Sequence, residues 1–466
     1  MLSEIFKAYD IRGVYPDKLD EDMAVRIGCA AGRFMRGQIT GPDANDPMLE
    51  HVVVGRDMRK SSPGLADALI RGLRMADVHV IDLGRVDTSF IYFAINHLGC
   101  AGGIMTTASH NPPHYNGFKL SGAQARPIGR DTGLEQIKRI AATIDFEREK
   151  LEPIGRLEPR DLWPDYKTHV RKSLDLKRPL KVVVDASNGM AGVFMPQLFD
   201  DVAELEIIPL NYETSGEFAH EPNPLVPENM RMVQDAVAEH GADLGVCFDG
   251  DADRCMFTDE NASLVKADLL GALIAERFLA DAPGSPIVYD LRSSKALVEH
   301  VEQCGGKPVR SRVGHVFMKA LMKEHDAVFG NELSAHVYYR RNWYADSGAI
   351  TFAVTLSLLS EQAGPMSKLL EPLQRYHQSG ETNFEVEDKD AMLKALKERF
   401  GDGASVDELD GVTIDAFGSA GWWFNVRPSN TEPLLRLNME ARDKKTLDEM
   451  FAKVRNLLGD PVVGGH

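Results

Sequence analysis

The segment DGDADR (249–254) has residue types that predict metal and phosphate chemistry. Its three aspartates alternate directly after the apolar stretch LGVCF, so their carboxylates would repel one another if they converged without a cation. A hard divalent ion relieves this repulsion, and an all-oxygen set with few protein ligands suits Mg²⁺ bound together with a phosphate oxygen. The segment therefore predicts a Mg²⁺ site formed by Asp249, Asp251 and Asp253.

A second polar segment, TTASHNPPHYNGFK (106–119), places Ser109 at the end of an apolar strand, in a loop closed by two prolines. An exposed hydroxyl beside loop N–H groups, His110 and Lys119 can act as a nucleophile or carry a phosphoryl group. A simple serine turn is the alternative. No Gly-x-Ser-x-Gly motif surrounds Ser109, so acyl transfer of the esterase type is not predicted.

Three other kinds of structure share part of the DGDADR pattern. An EF-hand calcium loop would add Glu260 at its twelfth position, but it needs glycine at the sixth, where the chain has Arg254. A phosphatase of the haloacid-dehalogenase type also begins with Asp-x-Asp after an apolar strand, but it expects a small residue in place of Asp253 and leaves Ser109 without a role. A solvated turn needs neither three carboxylates nor an arginine after a buried strand.

Two further loops carry groups suited to a sugar and to a phosphate. GNELSAH (330–336) has polar residues at every second position, which share one side of an extended loop, and its carboxylate and hydroxyl can bind adjacent sugar hydroxyls. RPSNTEPLLRL (427–437) combines a guanidinium, two hydroxyls and an amide, which indicate a phosphate-binding loop. Taken alone, each loop could equally be a strand end or a turn. The residues concerned are Glu332, Ser334 and His336 in the first, and Arg427, Ser429, Asn430 and Thr431 in the second.

Repeated strand–helix elements must position these loops. Three stretches of the chain each alternate strands with helices, which indicates βαβ units and mostly parallel sheets. Each of the first three polar loops follows the last strand of one stretch, and ligands bind beyond the carboxyl ends of strands in open α/β sheets. A fourth stretch is typical of a small α+β domain. The predicted domains are 1–154, 155–256, 257–370 and 371–466.

The amino-acid composition argues against nucleic acid and membranes as partners. The chain has 466 residues and a net charge of −17, which repels nucleic-acid phosphates and anionic lipid, so neither is an expected partner. No apolar run approaches about 18 residues, and acidic residues interrupt the N-terminal region, so we expect a cytoplasmic protein without a membrane span or signal peptide. The five scattered cysteines are expected to be reduced thiols that form neither disulfides nor a zinc site.

In chain order, the segments TTASHNPPHYNGFK, DGDADR, GNELSAH and RPSNTEP resemble the four active-site loops of the α-D-phosphohexomutases. The likeness is closest to the bacterial phosphomannomutase/phosphoglucomutase branch, includes YDIRG near the start and covers essentially the whole chain. It implies an α/β fold of three similar mixed α/β domains plus a C-terminal α+β domain around a central cleft. It also implies an enzyme that interconverts hexose 1-phosphate and hexose 6-phosphate, with mannose, glucose or both as the hexose.

The resemblance further implies roles for individual residues. Ser109 would carry the phosphoryl group and join the aspartates in binding one Mg²⁺ per active site, with a hexose 1,6-bisphosphate as intermediate and activator. Lys119 or His315, which follows a strand in VGH (313–315), would be the general base. Arg12 and Arg254 would be further catalytic residues. The implied substrate-binding residues are Tyr9, Glu332, Ser334, His336, Arg427, Ser429, Asn430 and Thr431.

The sugar loop departs from the family pattern at two positions. Asn331 and Ala335 stand where the family has glycine, and the extra side-chain bulk is expected to shift the loop. Leu333 matches the hexose enzymes, whereas the glucosamine mutases have Gln there. A sugar-phosphate sensor without catalysis is therefore a third hypothesis, beside the mutase and the haloacid-dehalogenase-type phosphatase that would use Asp249. The sequence does not distinguish mannose from glucose or specify an oligomeric state.

Overall fold

The computed structural model describes residues 2–39, 46–429 and 434–462. The chain divides into two compact units, each formed from two separate stretches. Unit 1 consists of Met1–Val265 and Ser334–Ser367, and unit 2 consists of Lys266–Leu333 and Lys368–His466.

The first stretch of unit 1 forms a six-stranded sheet with helices packed on it. The strands are β1 (Ile11–Val14), β2 (His51–Arg56), β3 (His79–Arg85), β4 (Gly102–Thr106), β5 (Tyr115–Gly122) and β6 (Leu157–Pro159). The helices are α1 (Leu2–Ile5), α2 (Glu21–Gly37), α3 (Ser62–Met75), α4 (Thr88–Leu98), α5 (Leu134–Thr143) and α6 (Phe146–Glu149). The sheet order is β1-β5-β4-β2-β3-β6, with β5 antiparallel to both of its neighbours. Buried β2 is an almost unbroken apolar run, as expected for a parallel strand covered on both faces.

Two glycines allow helices α2 and α3 to pack closely. A Cβ on Gly28 would lie 2.2 Å from the Leu69 carbonyl oxygen, and one on Gly72 would lie 2.0 Å from the Val25 carbonyl oxygen. Any side chain at either position would therefore separate the helices and disturb the core beneath them.

The second stretch of unit 1 forms a five-stranded sheet in the order β11-β10-β9-β7-β8. Its elements are α7 (Trp163–Arg171), β7 (Leu180–Asp185), α8 (Ala191–Phe199), β8 (Leu205–Leu210), α9 (Arg231–His240), β9 (Leu244–Phe248), β10 (Cys255–Thr258) and β11 (Leu264–Val265). β7 pairs in parallel with β8 and β9, whereas β9 and β10 are antiparallel and are joined by the DGDADR loop. The aspartates therefore lie at the carboxyl end of a fully buried strand.

The third stretch begins unit 2 and then returns to unit 1. Unit 2 contains α10 (Ala267–Asp281), β12 (Pro286–Asp290), α11 (Lys295–Gln303), β13 (Lys307–Ser311), α12 (His315–Glu324) and β14 (Phe329–Asn331). β12 pairs in parallel with both β13 and β14. After Leu333 the chain continues in unit 1 with β15 (Val337–Tyr339), β16 (Ala345–Asp346) and the buried α13 (Gly348–Glu361). Helix α14 (Met366–Leu370) begins in unit 1 and ends in unit 2.

The C-terminal stretch of unit 2 forms an antiparallel sheet with two longer helices. Its elements are β17 (His377–Gln378), β18 (Thr382–Glu385), α15 (Lys389–Phe400), β19 (Ser405–Asp407), β20 (Val412–Asp415), α16 (Phe417–Ala420), β21 (Trp422–Pro428), β22 (Leu434–Ala441), α17 (Lys444–Leu458) and β23 (Pro461–Val462). The strand order is β19-β20-β21-β22-β18-β23, and β17 also pairs with β22. Short 3₁₀ helices elsewhere in the chain lie at Pro47–Glu50, Ala123–Ala125, Arg130–Thr132, Pro227–Met230, Arg340–Asn342 and Glu371–Leu373.

The predicted fold class is confirmed, because three mixed α/β sheets are followed by an antiparallel α+β sheet. His315 was predicted to follow a strand, and it does: β13 ends at Ser311, and His315 is the first residue of α12. The domain boundaries near 154, 256 and 371 stay a prediction. In the stretches that the structure describes, every helix is too short or too polar to cross a bilayer.

Candidate active site

The Ser109 loop and the DGDADR loop meet within unit 1. The Ser109 hydroxyl donates a hydrogen bond to Asp249 Oδ2 over 3.0 Å, although 140 positions separate the two residues. Each loop follows the carboxyl end of a strand, β4 or β9, in its own sheet. The sequence predicted an exposed hydroxyl, but Ser109 is only 4% exposed because the side chains of Asp249 and Arg254 cover it.

Ser109 has a backbone conformation that its surroundings impose. Its φ is +49°, in the left-handed region that residues other than glycine rarely adopt. The Ser109 N–H donates to Thr107 Oγ1 over 2.9 Å, and a Cβ on Gly250 would lie 2.4 Å from the Ser109 carbonyl oxygen. The glycine of the DGDADR loop is thus required for the two loops to approach each other.

Arg59 holds the backbone of the serine loop, a role that no sequence motif indicates. It is fully buried, and its guanidinium donates hydrogen bonds to four loop carbonyls and to the Asp57 carboxylate. The donor–acceptor distances are 2.9 Å to Ser109, 2.6 Å to Asn111, 2.7 Å to Pro112, 3.2 Å to Tyr115 and 3.2 Å to Asp57. Four of the five guanidinium N–H groups therefore hold the loop, and the fifth pairs with Asp57.

The three predicted metal ligands converge and leave oxygen atoms available. Asp251 Oδ2 accepts from Thr88 Oγ1 at 2.5 Å and from Lys119 Nζ at 2.7 Å, and Asp253 Oδ2 accepts from Lys119 Nζ at 2.6 Å. The Oδ1 atoms of Asp251 and Asp253 are buried and have no hydrogen-bond partner among the described residues. One oxygen from each of Asp249, Asp251 and Asp253 lies within 4.8 Å of the other two. This set fits a hard divalent cation.

Charge in this cluster is balanced by buried cations. Burial raises the pKa of Asp249, and the neighbouring Asp253 and Asp251 raise it further against the effect of Arg254. Burial disfavours the charged form of Lys119, but Asp251 and Asp253 outweigh it and raise the pKa of the ammonium. Lys119 is therefore protonated while it contacts these carboxylates, and it can accept a proton only after leaving them.

Other predicted catalytic residues of unit 1 lie around Ser109. Arg254 donates from Nε to Asp249 Oδ2 over 2.9 Å, and its Nη2 lies 3.5 Å from Ser109 Oγ. Arg12, on β1, donates to the Asn111 side chain of the serine loop. His110 Nδ1 lies 3.3 Å from Ser109 Oγ and accepts from Arg254. Tyr9 is half-buried just before β1.

The predicted sugar loop is divided between the two units. Ser334 and His336 belong to unit 1, where Ser334 Oγ and His336 Nδ1 are 3.1 Å apart and His336 Nε2 lies 3.6 Å from Asp253 Oδ1. Glu332 belongs to unit 2, is 1% exposed, and accepts from the Gly314 N–H over 2.9 Å. The loop was expected to be extended, but it forms a turn in which Ala335 has a φ of +67°.

Asn331 is directed away from the sugar loop. Its amide donates to the Ala267 carbonyl over 3.2 Å and packs against Gly271 in α10, where a Cβ would lie 2.6 Å from Asn331 Cγ. The bulk at position 331 is therefore accommodated by the helix. Ala335 instead has a strained backbone, because a left-handed φ costs a non-glycine residue on the order of 1 kcal/mol.

The predicted phosphate loop contributes to a cluster of arginines in unit 2. Arg427 is 3% exposed, and its Nη2 donates to Glu381 Oε2 over 3.2 Å. Arg292 and Arg436 donate to the same carboxylate over 3.1 and 3.0 Å, so three guanidinium groups surround one glutamate. Burial and the neighbouring Arg292 lower the pKa of Arg427, and its Nε is buried without a hydrogen-bond partner in the described structure. This excess of positive charge suits an anion.

The remaining predicted residues are less informative. Ser429 donates its backbone N–H to the Leu434 carbonyl over 2.8 Å. Asn430 and Thr431 lie outside the described residues. His315 is the first residue of α12 in unit 2. Arg59, Thr88, Arg292 and Glu381 were missed, because nothing in their local sequence distinguishes them from ordinary surface residues.

Four family models match successive parts of the chain. They are described as phosphoglucomutase/phosphomannomutase alpha/beta/alpha domain I at residues 3–148, domain II at 164–262, domain III at 266–376 and C-terminal domain at 381–457.

Full-length relatives carry related names. The chain is 42% identical over 459 residues to a protein of Xanthomonas campestris pv. campestris named "Phosphohexose mutases", covering 97% of this chain and 98% of the relative. It is 38% identical over 462 residues to the phosphomannomutase of Escherichia coli strain K12, covering 97% and 98%. A solved structure of a phosphoglucomutase/phosphomannomutase family protein from Burkholderia thailandensis is 34% identical, has a TM-score of 0.87, and is covered over 97% of its length by 98% of this chain.

Proposed function

Because the chain belongs to the phosphoglucomutase/phosphomannomutase family, we propose that it interconverts hexose 1-phosphate and hexose 6-phosphate. The enzyme is thus a mutase that moves a phosphoryl group between two positions of one sugar, with mannose, glucose or both as the hexose. The observation that carries the proposal is the contact of Ser109 Oγ with Asp249 at 3.0 Å, beside Arg254 and within the aspartate cluster.

The proposed reaction uses Ser109 as the phosphoryl carrier. The Oγ–P bond of phosphorylated Ser109 breaks as the free 6- or 1-hydroxyl of the sugar forms a new O–P bond, and a base takes the hydroxyl proton. The resulting hexose 1,6-bisphosphate turns end for end, and its other phosphate returns to Ser109 Oγ. The same bisphosphate, added in trace amounts, would phosphorylate the resting enzyme and act as activator.

The neighbours of Ser109 suit this transfer. Negative charge develops on Oγ as its bond to phosphorus breaks, and the Arg254 guanidinium lies 3.5 Å from that atom. Arg12 donates to the Asn111 side chain and so supports the same loop. Phosphoryl transfer needs little beyond positioning and stabilisation of charge, which these groups supply.

Asp249, Asp251 and Asp253 would hold one Mg²⁺ together with the phosphate on Ser109. The donor set fits, because two buried carboxylate oxygens have no hydrogen-bond partner in the described part of the chain. When bound, the ion would neutralise charge on the transferring phosphoryl group. Lys119 contacts the other oxygens of the same carboxylates, so its ammonium already offsets part of their repulsion.

The resemblance to the family also assigns the substrate-binding residues. Glu332 and Ser334 would bind adjacent sugar hydroxyls, and Tyr9 and His336 would be further substrate-binding residues. The arginine cluster around Glu381 supports phosphate binding by Arg427, to which we assign Ser429, Asn430 and Thr431 as further donors. Lys119 and His315 remain the two candidates for the general base.

A coupled assay with mannose 1-phosphate and glucose 1-phosphate tests the proposal. Ser109→Ala should abolish formation of the 6-phosphate in the presence of Mg²⁺ and hexose 1,6-bisphosphate, while the circular dichroism spectrum is unchanged. Ser121→Ala, in strand β5, serves as the control and should retain activity.

Three outcomes of the assay would contradict the proposal. Full turnover by Ser109→Ala would exclude this serine as the carrier. Steady release of inorganic phosphate without any isomer would indicate a phosphatase that uses Asp249. Binding of sugar phosphate without turnover, even with the bisphosphate present, would indicate a sensor.

A further inference from the structure

Unit 2 carries a cluster of three different metal-ligating groups on the helix pair α10 and α11. Glu276 lies on α10, His300 lies in the last turn of α11, and Cys304 is the residue that caps α11. His300 Nε2 lies 2.8 Å from Glu276 Oε2 and 3.7 Å from Cys304 Sγ. One ligand atom from each residue lies within 4.8 Å of the other two.

The spacing of these atoms is close to that of a tetrahedral transition-metal site. Bonds of about 2.0 to 2.3 Å to nitrogen, oxygen and sulfur place neighbouring ligand atoms roughly 3.3 to 3.6 Å apart. The separation of 3.7 Å between His300 Nε2 and Cys304 Sγ matches this. The separation of 2.8 Å from His300 to Glu276 is shorter, but the Glu276 side chain is 55% exposed and can move by the few tenths of an ångström required.

Access from solvent also favours a ligand. The His300 side chain is 17% exposed, and Cys304 is the only one of the five cysteines that is not buried. A metal ion held by these three groups would keep one coordination position open to water.

We propose that Glu276, His300 and Cys304 form a site for a thiophilic divalent metal of the Zn²⁺ class. A thiolate with an imidazole selects such metals, whereas Mg²⁺ prefers oxygen ligands only. The site is therefore chemically distinct from the all-oxygen aspartate cluster of unit 1, and it does not depend on the mutase activity. Bound metal would link α10 to α11 and stabilise unit 2.

A second mixed cluster, Asp185, His220 and Cys247 in unit 1, is less suited to metal. Asp185 Oδ1 already accepts from the Ser187 N–H and from Asn211, and Oδ2 contacts His220 Nε2 at 3.0 Å. Cys247 is completely buried. These groups are satisfied as an ion pair beside a core thiol, so Cys247 provides an internal comparison for Cys304.

The sequence predicted that no cysteine would belong to a zinc site, so this proposal departs from that expectation. His300 and Cys304 are four positions apart, which places them on one face only if the segment is helical. Glu276 comes from a different helix, 24 positions from His300. No local motif unites the three residues.

The experiment uses the whole 466-residue chain in excess Mg²⁺, to which either Co²⁺ or Zn²⁺ is added. Co²⁺ should produce a sulfur-to-metal charge-transfer band in the near ultraviolet, and equilibrium dialysis should show about one bound Zn²⁺ per chain. Cys304→Ser should remove the band, and His300→Ala should weaken Zn²⁺ binding on the order of tenfold or more. Zn²⁺ should raise the Tm of the native protein but not that of Cys304→Ser.

Matched variants separate loss of metal binding from loss of folding. His325→Ala, which replaces another histidine at a helix end of unit 2, should leave Zn²⁺ binding unchanged. Glu276→Gln changes only an exposed side chain and should weaken binding without loss of folding. Zn²⁺ binding equal in the native protein and Cys304→Ser would overturn the proposal, as would loss of the cobalt band in Cys247→Ser with retention in Cys304→Ser.

Discussion

At the scale of single residues, the geometry of Ser109 depends on groups that do no chemistry themselves. Ser109 has a left-handed φ of +49°, and such a conformation persists only where neighbours impose it. Arg59 supplies hydrogen bonds to four carbonyls of the loop, and Gly250 leaves space for the Ser109 carbonyl. The position of Ser109 Oγ thus depends on the buried guanidinium of Arg59 and on the absence of a side chain at Gly250.

We expect Arg59→Lys to lower the rate of phosphoryl transfer more than substrate binding. Lysine offers one ammonium in place of a planar fork, so most of the four carbonyl contacts are lost. The expected result is a fall in kcat on the order of a hundredfold with KM changed by less than about threefold, since misplacement of a reacting group by about 1 Å has this effect. Steady-state kinetics on both hexose 1-phosphates measure it.

The control for this prediction is Val237→Ala, a core truncation in α9 at a distance in sequence from the loop. It should lower the Tm to a similar extent without the selective loss in kcat. An equal fall in kcat for the two variants at matched stability would show that Arg59 contributes only to folding.

We expect His110 to stay neutral over the whole physiological pH range. Burial lowers the pKa of His110 far below its usual value, and the cations Arg254 and Arg12 lower it further. The unfolded chain binds the proton near pH 6.5, so this histidine favours the folded state above pH 6.5 and that advantage is lost as the pH falls below it. NMR of the imidazole nitrogens from pH 8 to pH 5 should show His110 unprotonated, with Nε2 carrying the hydrogen.

A protonation midpoint for His110 between pH 6 and pH 7 would contradict the prediction, because it would mean that Arg254 does not donate to Nδ1.

At the scale of elements, helix α10 and the sugar loop are matched to each other. The family pattern has glycine at position 331, and here Asn331 fits because Gly271 provides the space in α10. The Asn331 side chain therefore occupies the space that a side chain at position 271 would fill. Helix α10 accommodates the added bulk at position 331, which was predicted to shift the loop.

A double-mutant cycle on Gly271 and Asn331 should show strong coupling. Gly271→Ala alone should destabilise the protein by about 1 to 3 kcal/mol, because the new Cβ would lie 2.6 Å from Asn331 Cγ. In the Asn331→Gly background the same change should stabilise by up to about 1 kcal/mol, since alanine is the better helix former. Urea denaturation followed by circular dichroism gives the four free energies of unfolding.

Additive effects in this cycle would mean that Asn331 can rotate away from α10 at no cost. If Asn331 packs against α10, Gly271→Ala should change the free energy of unfolding with opposite sign in the two backgrounds.

At the scale of the whole molecule, the two units do not follow the order of the chain. Residues 334–367 return to unit 1 after the first part of unit 2, and the change occurs between Leu333 and Ser334. His336 thereby comes within 3.6 Å of Asp253, while Glu332 stays with unit 2. The segment GNELSAH is therefore divided between the two units at this point.

Mg²⁺ should stabilise the native protein through the aspartate cluster. A ligand present at about 100 times its Kd contributes about 2.7 kcal/mol to the free energy of unfolding, which corresponds to a rise in Tm of several degrees. Asp251→Asn should abolish the rise, because it removes one of the three carboxylate ligands. Differential scanning calorimetry with Mg²⁺ and with a chelator measures the difference in Tm.

Asp235→Asn, an exposed aspartate on α9, is the matched control and should keep the full response to Mg²⁺. A response of equal size in Asp251→Asn would place the cation elsewhere in the molecule.

Local patterns of residue types were sufficient to predict the fold class and the order of the elements. An apolar run followed by a polar loop indicates a buried strand and the turn after it, as in β2 and β9. Such patterns were enough to predict strands that lead into the Ser109 loop and into DGDADR. The nature of the aspartate cluster was also a local property, because three alternating carboxylates require a cation wherever they converge.

The groups that complete each site are brought together only by the folding of the chain. Arg59, Arg292 and Glu381 act through contacts with residues tens of positions away, and the Zn²⁺-class site unites two helices. The direction of Asn331 was decided by the absence of a side chain at Gly271, 60 positions earlier in the chain. Such contacts depend on the distances and free volumes that packing creates, and no local pattern of residue types encodes those.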